Sequence, residues 1–489
     1  MKKGSMKPSL SLIWGKMKSI KLEKLFLILF FGFGLLFVAM VPPGWNTDEP
    51  DHTYRIYQLS AGNLLSEPVI SPMGNRAFGG DVPSGLVNLY KDAGVRDAGS
   101  KAVDKTQKAR GLADTHPEML SYKNDGTFTS INFSGAALYS PITYAIYIPV
   151  FLVGQLLSLP FFAMVIIARV IGLIATGFAF YFAIKYIKIG KWILFVVGLL
   201  PTTVIQAASV GADAPLITLS VLFLAYAMNV ILAKGPTTIK QYAILALFGM
   251  LLTFMKLAYA PFVLLILAIP FITRNINRRQ ILLAVAGCVA ALVPAIIWTM
   301  MVSYVDTNSN LQANFPLQKE FILSEPIVYL KTLFYTFFTP EQAPLEGMFG
   351  TAIWGSVTLP AIFTYVAVAA SVLTIGIKDN REVTIKKNDN YRNVAWRIAL
   401  LAVAALTVLL IATVLYIYSS TLYQSTIIGL QSRYFIPLIP LILLAGYGNF
   451  VKNQKIVKIA IVGAVLFMLL GAVAVMYHRL YQTLPLLLG

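Results

Sequence analysis

Apolar runs about as long as a bilayer is thick recur from one end of this chain to the other. In water such runs aggregate, whereas in lipid a helix satisfies its own backbone hydrogen bonds. A crossing helix takes roughly 17 to 25 apolar residues, fewer where neighbours shelter a short one. Eleven stretches fit: residues 22–41, 164–184, 192–210, 215–232, 242–255, 259–272, 281–301, 357–377, 398–418, 434–450 and 456–476. Composition agrees: of 489 residues 57% are hydrophobic and 12% charged, and the mean hydropathy is +0.73. Soluble domains are about one quarter charged. The pattern predicts an all-α polytopic membrane protein embedded in a lipid bilayer. Residues 25–41 run into Pro42-Pro43-Gly44-Trp45 without a small-residue cleavage site, so the first helix is expected to be retained and not removed as a signal peptide.

The net charge of +18 is a matter of placement. With eleven spans and a cytoplasmic N-terminus, the inner side carries +20 and the remainder −2, as the positive-inside rule asks. No nucleic-acid partner is needed to explain the basic residues. A further apolar segment, 136–157, would invert every later loop if it crossed, so it is read as a juxtamembrane helix in the outer leaflet. Tyr139, Tyr144 and Tyr147 would suit the interface there. The division of the chain follows: 1–21 a basic cytoplasmic N-terminus, 22–41 the first transmembrane helix, and 42–163 an extracytoplasmic loop with the juxtamembrane helix. Then come 164–302, a transmembrane core; 303–356, a second extracytoplasmic loop with an amphipathic piece at 327–338; and 357–489, the C-terminal transmembrane helices. The inner loops are too short for a nucleotide-binding domain, and there is no Walker-type phosphate cradle. The single cysteine, Cys288, excludes an internal disulfide.

Ionisable residues gather in the first outside loop, Gly44-Trp45-Asn46-Thr47-Asp48-Glu49-Pro50-Asp51-His52-Thr53-Tyr54-Arg55. Such a cluster at the mouth of a span is there for solvation or for function. A carboxylate here can act as general base towards an acceptor hydroxyl. Asp48 is the candidate base and Glu49 its helper, or a cap for a helix starting near Pro50, with Asp51, His52 and Arg55 as candidate binding residues. In Ser209-Val210-Gly211-Ala212-Asp213-Ala214-Pro215, Asp213 is either a site residue or an N-cap. Arg433 and Tyr434 of Gln431-Ser432-Arg433-Tyr434-Phe435-Ile436-Pro437 stand at the outer end of a span, where Arg433 either grips a phosphate or snorkels to headgroups. Lys256 faces the same alternatives. His116 and His478 carry no assigned role.

Taken in order, Asp48-Glu49-Pro50-Asp51-His52, Tyr139-Ser140-Pro141-Ile142-Thr143-Tyr144, residues 209–213 and Gln431-Ser432-Arg433-Tyr434-Phe435 resemble a bacterial family of multi-pass membrane proteins of unknown function. That family has an Asp-Glu-Pro-x-His loop and a Gln-Gly-Arg-Tyr-Phe-like motif. Ser432 departs from the glycine of the second motif. The family in turn resembles the GT-C glycosyltransferases, which use polyprenyl-phosphate sugars at the outer membrane face. The resemblance implies an acidic base in the first outside loop, juxtamembrane helices before the second span, and a second acid in the next outside turn. It implies an undecaprenyl-phosphate-linked sugar donor, a cell-envelope glycan acceptor, and a site on the extracytoplasmic face of a bacterial plasma membrane. A divalent cation, Mg²⁺ or Mn²⁺, at Asp48 and Asp213 is left as an option. The competing readings are a lipid-linked glycan flippase, which should line its path with charge within the spans, an envelope polysaccharide ligase or polymerase, and a non-catalytic membrane partner.

Overall fold

A computed structural model describes residues 20–70, 76–95, 116–233, 235–305, 315–338, 351–353, 357–379, 390–448 and 450–481. The basic N-terminus before Ile20 and Arg381, Glu382, Lys386, Lys387 and Asp389, expected in an inner loop, lie outside the described residues.

Among the described residues six helices are long and apolar enough to cross a membrane. They are α1 (Leu22–Met40), α6 (Phe161–Tyr186), α9 (Asp213–Ile231), α12 (Arg278–Met301), α16 (Asn390–Ser419) and α18 (Gln454–Tyr481). Shorter apolar helices fill four of the remaining runs: α10 (Ile239–Met255), a 3-10 segment Leu257–Val263 leading into α11 (Leu264–Ile272), α15 (Ala361–Ile375), and a 3-10 segment Ser432–Leu438 leading into α17 (Ile439–Ala445). Stretch 192–210 is two helices, α7 (Lys191–Gly198) and α8 (Pro201–Ala207), because Pro201 opens a new helix and cannot continue the old one. Small residues bring helices close: a side chain at Gly249 would meet Ala291 at 3.3 Å, and one at Gly34 would meet Leu173 at 2.4 Å.

Bonds near helix termini define the two ends of the bundle. At one end Tyr481 donates to Met40 O at 2.7 Å and the Trp298 indole to Leu138 O at 2.9 Å. At the other Asn229 donates to Tyr186 O at 2.9 Å and Arg397 to Ala445 O at 2.6 Å.

The first end carries a cap built from α2 (Glu49–Ser60), α3 (Ser84–Asp92), and strands β1 (Glu67–Ile70), β2 (Arg76–Pro83) and β3 (Phe128–Asn132). The strands form an antiparallel sheet in the order β1-β2-β3, with Gly79 opposite both Glu67 and Asn132. This sheet corrects the all-α expectation for residues 42–163. β2 is buried between its neighbours and α2, and Gly79 is needed because a Cβ there would stand 1.8 Å from Ile131 O. Tyr54, Ile56, Phe78, Leu86, Tyr144, Tyr147 and Phe161 fill the cap's own core.

Residues 136–157 do not form one helix. Pro141 and Pro149 divide them into the end of α4 (Ser134–Ala137), a 3-10 turn Pro141–Tyr144, and α5 (Ile148–Leu156). Nine helical residues span roughly 14 Å, about half a hydrocarbon core, so α5 is too short to cross. Tyr144 and Tyr147 are fully enclosed in the cap, not at the interface, and the large apolar side chains left exposed are Leu138, Leu152, Val153, Leu156 and Leu157.

Within residues 303–356, α13 (Phe315–Ser324) and α14 (Pro326–Phe338) meet at a 104° bend, a geometry that fits a broken span or a re-entrant pair better than a lone amphipathic piece.

Candidate functional site

α2 begins at Glu49 with Pro50 in its first turn, so the chain must turn sharply between α1 and α2. Gly44 makes part of that turn at φ +80°, and Asp48, in the cap position, adopts the left-handed conformation at φ 57°. That costs a non-glycine residue about 1 kcal/mol or more and persists where the surroundings fix it. Glu49 supplies the fixing. Its carboxylate is fully enclosed and paired bidentately with Arg169 of α6, Nε to Oε1 at 2.7 Å and Nη2 to Oε2 at 2.5 Å. It also accepts Gly44 N–H at 2.8 Å and Val210 N–H at 3.1 Å. Arg169 spends its other donors on Val41 O at 2.5 Å and Pro42 O at 2.9 Å. Loop 42–49, the end of α1 and the turn 209–213 are therefore clamped by one ion pair.

Arg169 went unnoticed in the sequence, although an arginine inside an apolar run is a signal in itself.

Asp48 does not use its carboxylate to cap α2. The carboxylate turns instead to Arg433, across 385 residues, with Nη2 to Oδ2 at 2.5 Å. Arg433 Nε lies 2.8 Å from Asp213 Oδ2. That N–H is not aimed at the oxygen, so the contact is ionic and not a hydrogen bond. Asp213 is the first residue of α9 and the capping position falls to Ala212, so the N-cap reading of Asp213 is not realised. Arg433 Nη1 is buried without a hydrogen-bond partner. Only 9% of the Arg433 side chain is exposed, which rules out snorkelling.

Lys256 stands at the break between α10 and the following 3-10 segment, outside both. Its ammonium lies 3.6 Å from the Tyr434 ring centre and 5.9 Å from that of Tyr139, so it too turns inward and not to headgroups. Burial pushes its pKa down to about 8, with the Asp213 and Asp48 carboxylates opposing the fall and Arg433 adding to it. Tyr259 fixes Tyr434 by donating to its carbonyl at 2.6 Å.

His52 Nδ1 is 2.7 Å from Tyr144 Oη and its ring packs edge-on against Tyr139, beside Gly211 of the Asp213 turn. His52 thus belongs to the wall of the cluster. Asp51 lies half-buried on the first turn of α2, within electrostatic reach of Tyr54 and Tyr144. Arg55 is not brought to the cluster. Its guanidinium donates to Gln58, to Ser66 Oγ at 3.3 Å and to Leu64 O at 2.8 Å, holding the loop between α2 and β1.

The space between Asp48 and Asp213 holds the Arg433 guanidinium. The two carboxylates are therefore laid out around a cationic side chain, not as the oxygen shell that Mg²⁺ or Mn²⁺ would take. A different group, Asp92, His116 and Glu118, has ligand atoms within 4.8 Å of one another on the cap surface.

Residues 30–442 match the model of a family described as "Predicted membrane protein (DUF2142)". The chain belongs to this family. The match includes every residue of the Asp48, Asp213, Lys256 and Arg433 cluster as well as the Glu49–Arg169 clamp. No curated protein and no solved structure matches the chain.

Proposed function

We propose that this DUF2142 protein is a glycosyltransferase of GT-C-like architecture that moves a sugar from a polyprenyl-phosphate donor to a cell-envelope glycan. In this reading all eleven apolar stretches cross, the N-terminus is cytoplasmic, and the cap faces outward from a bacterial plasma membrane. One observation carries it: two carboxylates and two cations, from four loops far apart in sequence, meet in one partly enclosed cluster at one end of the bundle.

Asp48 takes the proton of the acceptor hydroxyl. The freed oxygen attacks the anomeric carbon, the bond from that carbon to the phosphate oxygen breaks, and the configuration inverts. The departing phosphate gains charge, which Arg433 Nη1 and the Lys256 ammonium are placed to stabilise. Before the donor arrives Arg433 holds Asp48, so donor phosphate and Asp48 compete for one guanidinium. Binding of the donor thus releases the base for the acceptor. Glu49, with every acceptor direction taken, serves in this scheme as the anchor of the loop and not as a second base.

A flippase would need charge along its path. Arg169, which lies well inside an apolar stretch, is spent on Glu49 and backbone carbonyls and is not left to line a path, which favours transfer over transport.

Mass spectrometry of envelope glycans and polyprenyl-phosphate sugars tests the reading in cells carrying wild type, a deletion, or Asp48→Asn at equal level. Loss of one glycan substituent with build-up of one lipid-phosphate sugar in both mutants is expected. Restoration of the deletion phenotype by Asp48→Asn would sink it, and altered polymer length without donor build-up would point to a polymerase.

A further inference from the structure

At the end of the bundle away from Asp48, a cavity of about 680 Å³ opens between α11 and α16. Its walls are apolar: Ala268, Phe271 and Ile272 on one side, Val394, Ala395 and Ile398 on the other. The Leu257–Ile272 element starts beside Lys256 and ends here, a rise of roughly 27 Å, so the cavity sits near the opposite membrane surface.

The rim is cationic. Three loops are tied together there: Asn275 donates to Gly235 O at 3.2 Å, Arg392 donates to Ile231 O and to Ala233 O, the latter at 2.6 Å, and the Arg274 guanidinium lies 4.4 Å from the centre of the Tyr391 ring that closes the cavity. Segments 231–240, 273–280 and 390–399 hold Lys234, Lys240, Arg274, Arg278, Arg279, Arg392 and Arg397 and no acid. Arg392 and Arg397 are spent on backbone carbonyls. Lys240, Arg274, Arg278 and Arg279 are exposed.

We propose that this groove is a binding site for an anionic phospholipid, with an acyl chain between α11 and α16 and the phosphate under Arg274, Arg278 and Arg279. The volume is enough for an acyl chain, and the apolar walls leave recognition to the rim, where basic residues at a membrane surface select negative headgroups. Arg274 is suited to lead because its stacking on Tyr391 fixes the guanidinium at the groove mouth. The site stands apart from the transfer chemistry and does not depend on it.

The test uses the full chain, purified in detergent with equal phosphatidylglycerol and phosphatidylcholine, with bound lipid counted by native mass spectrometry. Wild type is expected to retain phosphatidylglycerol at least about fivefold over phosphatidylcholine, the effect of one well-placed cation, and to lose that preference as salt rises. Changing Arg274, Arg278 and Arg279 together to Gln should bring the ratio near one. Ala395→Phe, or the milder Ala268→Leu, should lower retained lipid without touching the three arginines. Equal retention by wild type, or a preference that survives the triple change, overturns the proposal. So does a preference lost in the triple variant but untouched by both groove-filling variants, since the anion would then bind the surface and not the groove.

Discussion

Asp48 and Glu49 are neighbours in sequence, both carboxylates, both paired with an arginine at 2.5 Å, yet they face opposite ways. Glu49 is wholly enclosed, with four protein donors around its two oxygens. Asp48 keeps 13% of its side chain open, and the arginine it meets is shared with Asp213 and retains a donor with no partner. The first arrangement is closed and can only hold; the second is incomplete and can exchange one anion for another. A pair of adjacent acids therefore divides its labour by the direction each side chain takes at the start of a helix, and the left-handed backbone at Asp48 is what separates them.

The comparison breaks most visibly at Arg169. Arg169→Ala leaves the Glu49 carboxylate buried without a countercharge, at a cost of about 3 to 5 kcal/mol. Purified protein should show a large fall in thermal midpoint, or no folded material, and the double change Glu49→Gln with Arg169→Gln should recover part of it. Asp48→Asn should do the reverse. Asn is isosteric and Arg433 keeps Asp213, so the fall in midpoint should be less than half that of Arg169→Ala. Sugar transfer from a polyprenyl-phosphate donor, by contrast, should fall roughly 10²- to 10⁴-fold. Equal stability losses in the two variants would erase the distinction drawn here. Arg433→Ala removes a charged donor from the site, and the donor concentration needed for half-maximal rate should rise about ten- to a hundredfold. An unchanged donor requirement contradicts the phosphate role.

Much of this was legible in the sequence, and the physical reason is hydrocarbon. Apolar runs fix the helices because no other backbone arrangement is satisfied there, and polar residues placed beside such runs at Asp48, Asp213, Lys256 and Arg433 could only gather at the bundle's ends. What was not legible depended on direction and depth. Nothing in Asp48-Glu49-Pro50 says which carboxylate turns inward; that follows from Arg169, a single residue 120 positions later. Arg55 looked like a member of the cluster by proximity, and three residues on from His52 it does share that side of the helix, but it lies about 4.5 Å further along α2, where its partners are Gln58, Leu64 and Ser66. The three-stranded sheet was hidden by its length: strands of four, eight and five residues, the last far along the chain from the other two, carry too few alternations to stand out among glycines. Tyr144 and Tyr147 misled because an interfacial tyrosine and a buried one have the same composition, and only the cap's core decides between them.

The smallest effect is the most specific to the open half of the comparison. Lys256 lies outside the helices on either side, and burial lowers its pKa to about 8, far below the ordinary 10.5. Below that pH the ammonium is present and can meet a phosphate; as the pH rises through about 8 the proton leaves and one positive charge is lost from the site. kcat/KM for the donor, which reports the free protein, should therefore fall a few-fold above pH 8, and Lys256→Met should remove that limb while lowering the plateau. Stability should move the other way. The folded lysine binds its proton less tightly than the unfolded one, so between about 8 and 10.5 the unfolded chain holds more protons and the native state gains as pH rises. Activity falling while the thermal midpoint holds or climbs over the same interval is a signature that general alkaline unfolding cannot produce. The same pH limb persisting in Lys256→Met would move the titration elsewhere and leave the cluster with Arg433 as its one phosphate ligand.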